Sequence, residues 1–330
     1  MMDIELMKRN TEEIVTADEL DDLVKRKTPV TYCGYEVSGP VHIGNLIAVN
    51  KQIDFLKSGC TVKVLLADVH TRLNRKGDED WINRMVEYWK HCFIGFGLKA
   101  DFVLGSEFQF EENYFRDVLE LGLHSTLNRA LRSMQEIARD IENAHVSQII
   151  YPLMQIADIK ALGIDIAHGG MEQRKIHMLA RETLPRIGYQ KPVCIHTPLL
   201  CSLQGPETKM SSSKPETMIA VDETPESIKK KIQNAYCPLS SEGNPVLGIC
   251  KYLLFSRLNE LEIKRPEKFG GFIKYKSYLE LEDDYLNNKL HPADLKNAVA
   301  DNLISILEPV REHLEKEGIS YEEIKTSKKK

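Results

Sequence analysis

At 330 residues the chain is long enough for one large domain and a smaller second one, and its 42% hydrophobic and 28% charged residues exclude a disordered or fibrous class. A formal net charge of −5 excludes a general electrostatic attraction to nucleic acid, so any RNA contact must come from local basic patches on an acidic body. There is no apolar run of membrane-spanning length, no leader-like core after the acidic start Met1-Met2-Asp3-Ile4-Glu5, and no C-x-x-C pair among the seven scattered cysteines, so free thiols in a reducing, cytoplasmic setting are expected.

Residues 1 to 28 read as helical, with Thr16-Ala17-Asp18-Glu19-Leu20 opening a helix that carries Leu20 and Leu23 on one face. Pro29 to Tyr35 is an apolar, β-branched run ended by Gly39 and Pro40, which predicts a buried strand. A helix is predicted from Ile43 to Ser58 with Gly59 as its C-terminal cap, then a strand over Thr61–Asp68. Strand, turn, helix, strand is a βαβ unit and implies a parallel sheet. A long helix near 79–97 and a third strand over Asp101–Gly105 continue the pattern. Residues 111 to 148 are charged and helix-prone and read as a helical insertion. Asp165–Gly170 and Pro192–His196 return to the sheet. After Asp222 helical periodicity dominates, with Thr224-Pro225-Glu226-Ser227 as a capped helix start.

Two short segments carry the chemistry. Ser38-Gly39-Pro40-Val41-His42-Ile43-Gly44-Asn45 sets an imidazole and a small turn at a strand-to-helix junction, where free N–H groups and the helix dipole favour phosphate. Lys209-Met210-Ser211-Ser212-Ser213-Lys214 offers a mobile point charge and three hydroxyls, and Gly205 with Pro206 reads as a hinged loop. Between them, Tyr151, Gln155 and Asp158 are spaced by 4 and 3, which stacks them on one helix face. Gly169-Gly170 allows close backbone approach at the end of a strand, where ligands bind in parallel sheets.

In this order and separation the two segments resemble the signature motifs of class I aminoacyl-tRNA synthetases. Tyr151-Pro152-Leu153-Met154-Gln155-Ile156-Ala157-Asp158 and Gly169-Gly170-Met171-Glu172-Gln173-Arg174-Lys175-Ile176-His177 look like the amino-acid pocket of the archaeal and eukaryal type of tyrosyl-tRNA synthetase. The similarity covers nearly the whole chain.

The resemblance implies an α/β fold: a Rossmann-like doubly wound parallel sheet with the insertion in a catalytic domain over 1–222, and a smaller helical anticodon-binding domain over 223–330 ending in a frayed basic tail. It implies catalysis by His42, Asn45, Lys209 and Ser212. Tyr32, Gly34, Tyr151, Gln155, Asp158 and Gln173 would hold tyrosine: Tyr32 and Asp158 the phenolic hydroxyl; Tyr151, Gln155 and Gln173 the α-amino group. Leu65, Phe108, Gln109 and Leu162 would line the rest of that cavity. Glu36, His42, Gly44, Asn45, Gly170, Lys209, Met210, Ser211 and Ser212 would hold ATP, with Mg²⁺ on the phosphates and no metal site of the protein's own. Arg132, Arg174 and Lys175, beside Arg129 and Arg139, would follow the acceptor end of tRNA(Tyr). Phe269, His291, Pro292 and Asp294 would read the anticodon, an aromatic platform plus a carboxylate suited to an unpaired guanine. A homodimer through the insertion is expected.

The chain departs from the usual pattern twice. Asn45 stands where a second histidine is usual, and Ser212 where a second lysine is usual, which leaves Lys214 as the candidate for that charge. Two other readings compete. A tryptophanyl relative shares the nucleotide motifs, but Tyr32 and Asp158 suit a phenol better than an indole. A non-catalytic RNA-binding paralogue would not need His42, Lys209 and Asp158 intact.

Overall fold

The structure, a computed structural model, describes residues 2–137, 143, 145–210 and 214–327, with the backbone alone of Thr208, Lys209 and Phe269. Two helices, α1 (Ile4–Lys8) and α2 (Ala17–Arg26), flank strand β1 (Glu13–Val15). A capping box starts α2, as the Thr16 hydroxyl accepts from Glu19 N–H and the Glu19 carboxylate accepts from Thr16 N–H. The uninterrupted helical reading of 1–28 is therefore corrected. Glu13, Ile14 and Val15 pair antiparallel with His196, Ile195 and Cys194, far away in the chain. Three residues have no readable period, so only the distant partner makes them a strand.

The predicted βαβ unit forms as β2 (Val30–Tyr35), α3 (Asn45–Lys57) and β3 (Thr61–Leu66). Gly59 takes φ +92°, where an L-residue would be strained. A short helix α4 (Asp68–Leu73), absent from the sequence reading, follows β3 directly, before α5 (Glu79–Gly95) and β4 (Asp101–Leu104). The insertion carries α6 (Glu112–Leu123) and α7 (Leu127–Ser133), and then comes α8 (Val146–Ala161). Strand β5 (Ile166–Gly170), α9 (Arg174–Thr183) and β6 (Val193–Thr197) complete the main sheet.

The sheet order is β1-β6-β5-β2-β3-β4, parallel throughout except for β1 at the edge. The chain proceeds from β2 outward through β3 and β4, then returns to the other side of β2 with β5. The carboxyl ends of β2 and β5 thus flank a topological switch point, the general position of ligand crevices in such sheets. Successive residues of β2 face opposite layers. Tyr32 joins one buried cluster with Leu65, Tyr151 and Ile176, whereas Cys33 and Tyr35 join another with Leu46, Trp89 and Phe93.

Beyond the sheet, β7 (Cys201–Ser202) and β8 (Gly205–Lys209) form a two-stranded hairpin with Cys201 opposite Lys209. The hinged-loop reading at Gly205 and Pro206 is corrected: this segment is a paired strand. Gly205 at φ +125° makes the tight turn into it. The rest comprises α10 (Pro225–Asn234), α11 (Pro245–Ile249), the β9 (Leu261–Ile263) and β10 (Ile273–Tyr275) pair, α12 (Tyr278–Leu286), α13 (Pro292–Glu317) and α14 (Tyr321–Thr326). The Thr224 hydroxyl caps α10 through Ser227 N–H. The apolar core of this half, including Ile232, Leu303 and Leu307, is continuous with the layer holding Tyr35 and Trp89. All seven cysteines are free, five of them buried. Among the described residues no helix is long and apolar enough to cross a membrane.

Candidate active site

Two cavities open at the carboxyl ends of β2 and β5, with volumes of about 230 and 200 Å³. They share Gly34, Glu172 and Gln173 as a common wall. The larger is lined by His42, Gly44, Asn45, Gly170 and Met210. The smaller is lined by Tyr32, Glu36, Leu65, Tyr151, Gln155 and Asp158, together with His70. Glu36, expected beside the nucleotide, instead lines the smaller cavity, where Asn74 donates to it at 2.7 Å and Lys76 pairs with it at 3.3 Å.

The larger cavity is shaped by its turn. Ile43 N–H donates to Ile219 and Val221 N–H to Val41, which stitches the turn to the strand-like segment before α10. The Asn45 amide oxygen accepts from His42 N–H at 2.9 Å. That bond fixes the side chain, so its NH₂ is the end available to a ligand. Asn45 therefore builds the turn that a histidine usually occupies. Gly44 is required by the same geometry, since a Cβ there would stand 2.9 Å from His42 Nδ1 and 3.6 Å from Met210 Sδ. His42 is half-buried, its Nδ1 has no partner, and burial draws its pKa down to about 4. At that value the imidazole is uncharged near pH 7 and offers a hydrogen bond without charge. Among the described residues no lysine or arginine lines this cavity. Lys209 is the nearest candidate by sequence, its neighbour Met210 forming part of the wall. Ser211, Ser212 and Ser213 lie outside the described residues. Lys214 is exposed.

The smaller cavity ends on Asp158, which is 0% exposed. Asp158 Oδ1 accepts from Gln109 Nε2 at 2.7 Å and from the Tyr114 hydroxyl at 2.8 Å. Asp158 Oδ2, the Tyr32 hydroxyl and His70 Nε2 are buried without a hydrogen-bond partner. His70 Nε2 stands 3.8 Å from Asp158 Oδ2, beyond hydrogen-bonding reach. Buried polar atoms are normally satisfied, so three orphans on residues that line one cavity leave polar capacity for a bound group to meet. Burial pushes the Asp158 carboxyl up to about 7, against the opposing pull of the Gln109 and Tyr114 hydrogen bonds. Burial also holds His70 down at about 4 and raises the Tyr32 and Tyr151 phenols well above their ordinary range. At the other end, Gln155 Nε2 donates to Gln173 Oε1 at 3.0 Å beside Glu172. That polar end faces the shared wall.

All six residues expected to hold tyrosine line this cavity. Of the supporting set, Leu65 lines it and Gln109 stands behind Asp158, while Phe108 and Leu162 pack into the surrounding core. Sequence reading missed His70 and Tyr114. His70 had a usable signal, since it follows the carboxyl end of β3 by a few residues. Tyr114 had none, because its hydroxyl meets Asp158 only through the packing of α6 on α8.

The basic residues are largely engaged. Arg174 donates to both oxygens of Glu13 at 2.8 and 2.9 Å, Lys175 pairs with Glu136 at 3.1 Å, and Arg129 pairs with Glu182. Arg132 is exposed, with Nε donating to Asn128 O. Arg139 lies outside the described residues. Farther off, Arg265 donates to the carbonyls of Gly271 and Lys289. It thereby ties the turn containing Phe269 to the start of α13, where exposed His291 caps the helix through Ala293 N–H and Asp294 lies in the first turn.

The family described as tRNA synthetases class I (W and Y) matches residues 25–308. The chain belongs to that family. It is 51% identical over 315 residues to the tyrosine–tRNA ligase of Methanocaldococcus jannaschii, covering 95% of this chain and 100% of that one. It is similar to the crystal structure of a tyrosyl-tRNA synthetase complexed with L-tyrosine from Archaeoglobus fulgidus, with a TM-score of 0.92 and 48% identity over 94% of this chain and 98% of that one. The tryptophanyl-tRNA synthetase of Aeropyrum pernix shares the fold alone, with a TM-score of 0.74 and 18% identity over 93% of this synthetase and 84% of the other.

Proposed function

We propose that this synthetase is a tyrosine–tRNA ligase whose smaller cavity holds L-tyrosine and whose larger cavity holds ATP. The observation that carries the reading is the buried trio of Asp158 Oδ2, Tyr32 hydroxyl and His70 Nε2, a place for one phenolic hydroxyl. With the ring along Leu65, the ammonium meets Tyr151, Gln155 and Gln173. The carboxylate then faces the shared wall at Gly34, where the absence of a side chain leaves a path to the α-phosphate. A carboxylate oxygen attacks the α-phosphorus of ATP, the bond to the bridging oxygen breaks, and pyrophosphate leaves. In the second step the 3′-terminal ribose hydroxyl of tRNA(Tyr) attacks the tyrosyl carbonyl, and AMP leaves.

Such chemistry asks mainly for positioning and charge stabilisation. His42 and the Asn45 NH₂ donate to phosphate oxygens, Lys209 with Ser211 and Ser212 meets the departing pyrophosphate, and Mg²⁺ arrives on the nucleotide. Residues 1–222 form the catalytic unit in this reading, and 223–330 the anticodon-binding unit. Exchange of labelled pyrophosphate into ATP, followed by charging of tRNA, tests it. Exchange is expected with tyrosine and not with phenylalanine or tryptophan. Charging of two tRNAs that differ only at the first anticodon base is expected to favour guanine, through Asp294. Exchange driven by tryptophan, or by no amino acid, would overturn the assignment.

The same reading includes a homodimer through the insertion. Phe115, Leu119 and Leu123 recur every four residues along α6 and are 59%, 56% and 78% exposed. Phe110, Leu127 and Val146, in or beside the same insertion, are exposed too, and an apolar stripe like that of α6 calls for a partner face. The double variant Leu119→Asp/Leu123→Asp is expected to run at half the native mass in light scattering, with its helical signal intact.

A further inference from the structure

The crossing of α5 and α13 assembles a group of side chains that the synthetase chemistry does not use. Gly95 lets the two helices touch, because a Cβ there would lie 2.9 Å from Val310 Cα and 3.1 Å from His313 Cβ. The helices run antiparallel at this point, as Gly95 meets Val310 and the earlier His91 meets the later His313. The close approach brings His91 and His313 ring to ring, with centroids 5.1 Å apart and planes 26° from parallel. His91 Nδ1 and His313 Nε2 are 3.0 Å apart. One donor atom each of His91, His313 and Glu317 lies within 4.8 Å of the others. On the far side of the ring, His91 Nε2 faces Glu87 Oε2 at 3.6 Å.

We infer that His91, His313 and Glu317 form a site for a zinc-class divalent ion at this crossing. Imidazole and carboxylate are suitable zinc ligands, and tetrahedral bonds of about 2.0–2.1 Å place two ligand nitrogens roughly 3.3 Å apart. The observed 3.0 Å therefore needs only a small opening. Glu317 is exposed, so its carboxylate is free to swing onto the ion while water takes the fourth position. Glu87 supplies an independent sign. A ligating histidine usually offers its other nitrogen to a carboxylate, which fixes the tautomer and strengthens the ligand. Here Glu87 stands on the Nε2 side, leaving Nδ1 for the ion. Each helix contributes its pair at a spacing of four residues, Glu87 with His91 and His313 with Glu317. These pairs are far apart in the chain, so no sequence spacing announces the site.

The ion clips the C-terminal end of α13 to α5. Trp89, on α5, donates through Nε1 to the carbonyl of Gly39 at 3.0 Å. A rigid crossing therefore supports the nucleotide turn from behind.

The test uses the full chain, stripped with EDTA and returned to chelator-free buffer. Zn²⁺ is titrated by calorimetry and Co²⁺ by visible absorption. One saturable site per chain is expected, with the unfolding midpoint raised by roughly 3 °C at saturating Zn²⁺. His91→Ala and His313→Ala are each expected to weaken binding more than about 100-fold, and Glu87→Gln about 10-fold. Tyrosine-dependent exchange in all three variants verifies that they fold. If exchange is lost, His91→Gln and His313→Gln, closer in size, take their place. Zinc binding unchanged in both histidine variants, a cobalt spectrum showing thiolate ligation, or no saturable binding would each overturn the site. In the last case the pair is an ordinary hydrogen-bonded helix contact.

Discussion

Replacing Asp158 is expected to cost this synthetase most of its tyrosine activation and nearly all preference for a phenolic ring. Asp158→Asn keeps the shape and removes the charge. A hydrogen bond to a charged group contributes about 1.5–3 kcal/mol, so kcat/KM for tyrosine should fall roughly 10- to 150-fold. Asp158→Ala should fall further, because Gln109 Nε2 and the Tyr114 hydroxyl would also lose their shortest acceptor, keeping only His70 Nδ1 at 3.4 Å and the Met154 carbonyl at 2.9 Å. Phenylalanine makes no use of the carboxylate, so its rate, at the limit of detection in the native chain, should not fall with tyrosine's, and the preference for tyrosine should shrink. The raised pKa adds a second reading of the same residue. The carboxylate form that accepts the phenol predominates only above about 7, so kcat/KM for tyrosine should climb as pH rises through that value. His42 and His70, both held near 4, do not titrate in this window. Asp158→Asn should flatten the profile. An inflection that survives the substitution, or near-normal exchange by Asp158→Ala, would remove Asp158 from its role.

Lys209→Ala is expected to slow adenylate formation by about 100- to 1000-fold while leaving tyrosine affinity nearly unchanged. The larger cavity explains the size of the effect. Burial holds His42 near 4, Asn45 is an amide, and among the described residues no lysine or arginine lines that wall. In the proposed reading the developing charge on pyrophosphate is therefore met by Lys209 and by the Mg²⁺ that would come with the nucleotide. A group that acts mainly as charge develops lowers the transition state more than the ground state. Pre-steady-state measurement of adenylate formation beside equilibrium tyrosine binding separates the two. Equal losses in both would mean that Lys209 serves ground-state binding alone.

The sequence by itself determined the elements with a strong local period or strong punctuation. The β2-α3-β3 unit, the cap at Thr224, the glycine stop at Gly59 and the stacking of Tyr151, Gln155 and Asp158 all follow from side-chain periodicity and from the few residues that tolerate special backbone angles. The motifs around His42 and Lys209 were legible because phosphate chemistry confines its residues to short runs. Long-range pairing was not legible. β1 exists only because β6 offers it an edge, β8 only because β7 lies opposite, and Asp158 is desolvated only because α6 brings Tyr114 against it and Gln109 closes the other side. The role of Asn45 depends on the turn it holds, not on its own chemistry alone. Charge state belongs to the same class. Whether His42 is a cation, or Arg174 a free one, depends on desolvation and on acids such as Glu13, which reach it from more than a hundred residues away. Local pattern specifies what each segment can become. The burial that tunes a pKa, orphans a hydroxyl or sets His91 against His313 arises only when distant segments exclude water together.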